Sequence, residues 1–278
     1  MPLTRLAKEA FLGELGALPE TGVECTRLAS ISVTDTAPPV RAYLKIFAST
    51  YGSGLATRGL VNEVAGYFCA EAGGLSVAQQ AGLITLEPSM ISNPPSWLAS
   101  TSPLVAWWSQ DMAHPSIRAS LNIQALPNGS AAQQDAFKQA LDMLLKFAGT
   151  PAVIALDDLV ANIDRNLGNA LYSPAGISLI DHGHCLTGPA WVAGDLDSGK
   201  SYDNKVRSFL GASGETLSYK SSIMAAYTQI AKDVAPKLPQ LKHLAEQLVS
   251  ASDAAALNTF LERRSVLSSI PHRVGVVV

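Results

Sequence analysis

The sequence predicts an α+β fold in two parts, a small antiparallel sheet with one internal helix followed by a mainly helical half. Three observations carry this expectation. Short runs of alternating apolar and polar residues recur before residue 112, and much longer runs of helical periodicity set in from residue 131. The third is composition: 47% hydrophobic and 15% charged residues in a chain of 278 are enough for one large core or two lobes sharing a cleft. The expected division is an N-terminal lobe over residues 1–112 and a helical C-terminal lobe over 113–278.

Taken in order, residues 3–18 read as a helix with Leu3, Leu6, Ala7, Ala10 and Phe11 on one side, ended by the Pro19 region. Residues 28–33 and 40–47 alternate with period two across the turn-rich stretch from Thr34 to Pro39, which predicts an antiparallel strand pair. After the loop from Tyr51 to Gly54 comes a helix with Leu60, Val61, Val64, Ala65, Phe68 and Cys69 on one face, stopping at Gly73 and Gly74. Residues 82–86 and 103–110 read as further short strands, and the two halves are expected to meet near residues 110–115. Helices follow over residues 131–147, 152–160, 214–233, 238–250 and 253–267, interrupted only by one hairpin. There is no internal repeat and no low-complexity segment.

Charge and cysteine usage exclude several classes. A formal net charge of −3, from 20 basic and 23 acidic residues, gives no basic face for a nucleic acid. The longest apolar stretches, such as residues 152–156 and 274–278, fall far short of the roughly 20 residues that span a bilayer. The N-terminus mixes both signs of charge and shows no signal-peptide pattern. Cys25, Cys69 and Cys185 are odd in number and widely spread, so they read as structural free thiols in a reducing, cytoplasmic setting.

The chemistry concentrates in residues 156–183. Pro174, Ala175 and Gly176 form a turn between two short apolar strands, residues 170–172 and 177–180. Asn169 and Asp181 lie six positions either side of Ala175 and are expected to face each other at the open end of that hairpin. Two such oxygen ligands suit Mg²⁺, which is held by one or two protein groups together with phosphate oxygens and water. Asp164 precedes Asn169 by five positions, the spacing of aspartate and asparagine in a kinase catalytic loop, so one loop supplies a base and a metal ligand.

The run Asn162-Ile-Asp-Arg-Asn-Leu-Gly-Asn169 followed by Leu179-Ile-Asp-His-Gly183 resembles the paired motifs of the HipA-like kinases and, more distantly, the phosphatidylinositol kinases. Those enzymes place Arg after the catalytic Asp, as in Asp164-Arg165, where ordinary protein kinases place it before. Upstream, residues 43–47 resemble the strand of the nucleotide-contacting Lys45, and residues 60–64 the helix whose Glu63 pairs with it. The resemblance covers residues 41–209 and implies a bilobal protein-kinase-like fold. It also implies a Mg-ATP-dependent kinase with Asp164, Lys45 and Glu63 as catalytic residues, Lys45, Gln110 and Met112 binding ATP, and Asn169 and Asp181 holding Mg²⁺. The implied acceptor is a Ser or Thr hydroxyl of a protein substrate. Because family members are associated with bacterial toxin-antitoxin systems, an antitoxin or regulatory protein joins the implied partners.

One departure stands out: no G-x-G-x-x-G precedes Lys45, and residues 34–39 occupy the place of a phosphate-covering loop. Hydroxyls of Ser32, Thr34 and Thr36, or the loop at residues 51–54, are the candidate substitutes. The alternatives are a lipid or small-molecule kinase, a nucleotide-binding pseudokinase acting as a regulatory module, and, further off, a phosphatase using the Asp and His groups. Asp157 and Asp158 read as acidic residues on a helix surface, and Arg165 as a structural residue that orients the loop by pairing with a carboxylate or a phosphorylated residue. His182 and His184 read as structural hydrogen-bonding groups and Trp107 and Trp108 as packing residues.

Overall fold

The computed structural model describes residues 3–18, 24–34, 36–51, 54–98 and 103–276. The expected stop at Pro19, Asp35 of the turn at 34–39, Gly52 and Ser53 of the loop at 51–54, and the last two residues of the apolar tail lie outside them. The chain divides into two units, residues 1–60 with 78–113 and residues 61–77 with 114–278. The helix expected inside the first part therefore contributes residues 61–72 to the second unit.

The first unit is built on a six-stranded sheet. Its strands are β1 (Thr4–Leu6), β2 (Phe11–Ala17), β3 (Glu24–Ile31), β4 (Val40–Phe47), β7 (Ala81–Leu86) and β8 (Leu104–Gln110), in the order β1-β7-β8-β4-β3-β2. A separate two-stranded pair, β5 (Thr50–Tyr51) with β6 (Leu55–Ala56), follows β4. Only β1 runs parallel to its neighbour. Strict alternation in β3 and β4 puts Cys25, Ala29, Ile31, Ala42, Leu44 and Ile46 into one core with Ile84, Leu86 and Trp108. Lys45 therefore emerges on the opposite face of β4. Trp107 and Trp108 are both buried, as their packing role requires.

Residues 3–18 are not a helix. They form β1, a single 3₁₀ turn at Lys8–Ala10, and β2. The apolar spacing that suggested a helix ends at Phe11, and Gly13 then takes φ +143°, a conformation that L side chains rarely adopt. The register of β2 against β3 shifts between Phe11 and Gly13 and again between Glu14 and Gly16, so this edge strand is bulged and hides its period of two.

The second unit begins within α1 (Gly59–Ala72) and continues through α2 (Ile117–Ser120), α3 (Ala131–Lys146), α4 (Thr150–Leu159), β9 (Ala170–Ser173) and β10 (Gly176–Leu179). Then come α5 (Lys205–Leu210), α6 (Leu217–Val234), α7 (Leu238–Ala245), α8 (Ala251–Arg264) and α9 (Ile270–Val274). Ser130, Asn204, Thr216 and Ser250 each accept a backbone amide at a helix start, the local chemistry that sets those boundaries. Helix α4 is buried on nearly all sides. Its C-terminal carbonyls are capped from afar: Nε of Arg264, on α8, donates to the carbonyls of Asp158 (3.0 Å) and Leu159 (3.2 Å). Among the described residues no single helix is long and apolar enough to cross a membrane.

Candidate functional site

Two stretches some 20 residues apart in the second unit are folded onto one another. At the end of α4, Ala161 adopts a left-handed φ of +47° and turns the chain into a loop over residues 161–169. The carbonyls of Val160 and Ala161 accept the amides of Leu186 (2.8 Å) and Thr187 (3.2 Å), which brings the segment after β10 back alongside the start of that loop. Between them stands the hairpin β9–β10, closed by Pro174 and Ala175. Its other side is fixed to the segment after α1, where the carbonyl of Ser76 accepts the amide of Leu179 (2.8 Å) and the hydroxyls of Ser76 and Ser178 lie 2.7 Å apart.

The hairpin register corrects one expectation. Ser173 pairs with Gly176 and Ala170 with Leu179, so the axis falls between Pro174 and Ala175 rather than on Ala175. Asn169 thus meets Ile180, whose amide donates to its carbonyl (3.3 Å). Asp181 lies one residue further out, at a left-handed φ of +59°.

Arg165 holds this arrangement. Its side chain is fully buried, and Nε lies 3.2 Å and 3.3 Å from the two carboxylate oxygens of Asp157 on α4. Nη1 donates to the carbonyl of Asn169 (3.3 Å) and to that of Ile180, tying both strands at the open end of the hairpin. Asp157 is therefore not an exposed helix residue, and neither is Asp158, which pairs with Arg264 (3.2 Å) and Arg273 (3.3 Å). Because α4 is buried nearly all round, its carboxylates face guanidinium groups instead of water. Burial pushes the Asp157 carboxyl above its ordinary range, against the opposing pull of Arg165. Burial, the largest single influence, would lower the Arg165 value; the Asp157 carboxylate and the other neighbouring groups, Asp181 among them, together outweigh it, so the net shift is upward.

The fourth direction of the clamp runs to His182. Nη2 of Arg165 lies 3.0 Å from Nδ1 of that ring. A guanidinium has no acceptor, so Nδ1 accepts and the imidazole is the neutral tautomer with its proton on Nε2. His182 thus has the structural role its sequence context suggested. Its backbone amide donates to Glu63 of α1 (3.0 Å), and next to Glu63 the Nδ2 of Asn62 donates to the carbonyls of Gly183 and Gly188, each at 2.8 Å. Trp191 Nε1 completes Asn62 by donating to its Oδ1 (2.8 Å). Helix α1 approaches this closely because Gly66 faces the histidine: a Cβ there would stand 2.6 Å from His182 Cγ. Gly66→Ala should consequently cost about 1–3 kcal/mol, the usual price of overpacking, and be visible as a lower melting temperature.

Asp164 and its neighbours carry the polar surface of the loop. The backbone carbonyl of Asp164 accepts from Asn166 Nδ2 (3.3 Å) and Asn169 Nδ2 (3.1 Å), and its amide donates to Asn162 Oδ1 (3.0 Å). The carboxylate is thereby left to project from a fixed backbone, and it pairs with the Lys205 ammonium at the start of α5. Asn204, the cap of α5, anchors that lysine by donating to the buried carbonyl of Ile154 (2.9 Å). Since Asn169 uses its Nδ2 on Asp164, its Oδ1 is the end available to a ligand.

In the first unit, Lys45 lies on β4 with Nζ 3.8 Å from Glu24, which also accepts from Thr26 Oγ1 (2.6 Å). Gln110 ends β8, its amide donating to the carbonyl of Gln80 (2.8 Å), and Met112 follows it. Lys205, Glu24, Asn62 and Asp157 were not picked out as site residues by sequence. A polar pair inside an apolar helix, Asn62-Glu63, was the available signal for one of them. Cys69 and Cys185 are buried free thiols, the first pushed up by burial to about 12 and the second well above its ordinary value, so neither supplies a thiolate nucleophile.

The chain is similar to the crystal structure of the Helicobacter pylori proinflammatory kinase CtkA, with a TM-score of 0.62 over 97% of each chain and 15% sequence identity. The fold is therefore kinase-like, with a sheet-bearing N-terminal part and a helical C-terminal part. No family model matches the sequence. No curated protein matches it either.

Proposed function

We propose that this chain is a Mg²⁺- and ATP-dependent phosphotransferase acting on a hydroxyl group, a HipA-like serine/threonine kinase. The observation that carries the reading is the Arg165 clamp, which fixes the loop of Asp164 and Asn169 to the backbone leading into Asp181 within a kinase-like fold. Asp164 accepts or orients the acceptor proton from a carboxylate held by its own backbone and by Lys205. Asn169 Oδ1 and the Asp181 carboxylate are hard oxygen donors, the kind Mg²⁺ takes. Among the described residues no group of three or more His, Cys, Asp and Glu is placed to hold a metal. A pair of chain oxygens with phosphate and water as the remaining ligands is the Mg²⁺ pattern; Asn169 and Asp181 would hold the ion, and when bound it would supply charge neutralisation at the phosphates.

Lys45, Gln110 and Met112 carry the nucleotide-binding part of the reading. Glu63 additionally holds the backbone that follows Asp181. Catalysis in this scheme is mostly placement and charge compensation by pre-positioned groups.

The test is mass spectrometry of the purified protein incubated with Mg-ATP and a cell lysate. New phosphoserine or phosphothreonine is the expected result; labelled lipid or metabolite alone would move the acceptor to another class. The metal assignment has its own check. ATP should raise the melting temperature more with Mg²⁺ than with EDTA, because a ligand that prefers the native state stabilises it. Equal shifts would remove Asn169 and Asp181 as a metal pair.

A further inference from the structure

Behind the Asp164 loop, wholly within the second unit, lies a cavity of about 310 Å³ whose walls include Phe137, Leu144, Leu167, Phe209, Arg118 and Lys205. It is a built feature. The amide of Arg118, in α2, donates to the carbonyl of Leu167 in the loop (3.1 Å), and α2 is joined to the hairpin by the Tyr172 amide donating to Pro115 (2.8 Å). On the far side Phe137 of α3 stacks at a tilt on Phe209 of α5, with ring centroids 6.2 Å apart. Phe137 is nonetheless 38% exposed, a large apolar surface that the fold leaves facing the opening.

The charged side chains that line the cavity are cationic, Arg118, Arg165 and Lys205, in a protein of net charge −3. Two of the three are committed, Arg165 to Asp157 and Lys205 to Asp164. Arg118 is the third. Its Nε is buried and has no hydrogen-bond partner among the described residues, and it lies against Gly168 of the loop. A guanidinium with no carboxylate partner among the described residues, beside an exposed aromatic wall, suits a ligand with both a carboxylate and a bulky apolar group.

We infer that this cavity docks the acceptor segment of a substrate protein, with an Asp or Glu side chain on Arg118 and a bulky apolar side chain against the wall that Phe137 and Phe209 form together. The inference rests on the phosphotransfer reading for its orientation: Lys205 lines the cavity and reaches Asp164, so a segment seated there presents a nearby hydroxyl to that carboxylate. The complementarity supplies specificity that a bare catalytic loop lacks.

The experiment is capture of a random peptide library with a fixed central Ser on the immobilised full chain, without nucleotide, followed by sequencing of the bound peptides. The wild type should enrich Asp or Glu together with Leu, Ile, Met or Phe near the Ser. Arg118→Glu should exchange the acidic preference for Lys and Arg, with acidic peptides weakened about tenfold or more, the scale of a charge-assisted hydrogen bond. Phe137→Asp, at an exposed position that a fold tolerates, should erase the apolar preference alone. No enriched set, the same set for all three proteins, or retention of phospholipid vesicles in place of peptides would overturn the docking site. Adding Mg-ATP to the captured peptides separates the two claims. Peptides bound but never phosphorylated would keep the docking site and count against the phosphotransfer reading; phosphorylation indifferent to flanking residues would do the reverse.

Discussion

Arg165→Met is expected to destabilise the fold by about 3–5 kcal/mol, because it leaves the buried Asp157 carboxylate without its cation. For a chain of this size that corresponds to a melting temperature lower by about 10 °C. The carbonyls of Asn169 and Ile180 lose their shared donor in the same step, so the open end of the hairpin loosens where Asn169 and Asp181 emerge. Arg165→Lys should recover little, since one ammonium cannot reach a carboxylate, two carbonyls and an imidazole in four directions. Combining Arg165→Met with Asp157→Leu should recover much of the stability, an apolar pair of similar volume being a tolerable replacement for a buried ion pair. Thermal melts of the wild type and the three variants decide this. An Arg165→Met protein that melts with the wild type would mean that the clamp supports nothing.

The elements legible in the sequence were those whose pattern is local. Strands β3 and β4 alternate cleanly, and the hairpin is a two-residue turn between apolar runs, so both emerge from period and turn chemistry alone. The N-terminal strands were misread because bulges in β2 break the alternation while the preceding residues imitate helical spacing. The site was half legible for the same reason. The spacing from Asp164 to Asn169 and the motif ending at Gly183 are contiguous, but what holds them is not. Lys205 meets Asp164 across 41 residues and Glu63 meets the amide of His182 across 119, contacts that no periodicity encodes. Asp157 shows the limit most clearly: a charged residue near a helix end reads as surface, and only the burial of α4 on nearly all sides turns it into the internal partner of Arg165, whose structural role the sequence does suggest.

Asp164 and Asp181 should fail in different ways, although both belong to the same small region. Asp164→Asn keeps the size of the side chain and leaves the loop backbone intact, since that backbone is held through the amide and carbonyl of Asp164 and not through its carboxylate. It removes the charge facing Lys205 and, in the proposed scheme, the proton acceptor. Turnover should fall by about a hundredfold or more, the scale of a positioned acid-base group, while Mg-ATP affinity stays nearly unchanged. In the proposed scheme Asp181→Asn takes a charged oxygen away from a hard cation, so it should weaken Mg²⁺-dependent nucleotide binding as well as turnover. The position itself is demanding, with a left-handed φ of +59°, and Asn tolerates that conformation better than other non-glycine substitutes, so the variant tests charge and not backbone. Isothermal titration with ATP in Mg²⁺ and in EDTA, set beside phosphotransfer rates, reads both effects. If Asp164→Asn abolished metal-dependent binding while Asp181→Asn kept both binding and activity, the two roles would be wrong, and the hairpin would lose its place as the metal-holding element.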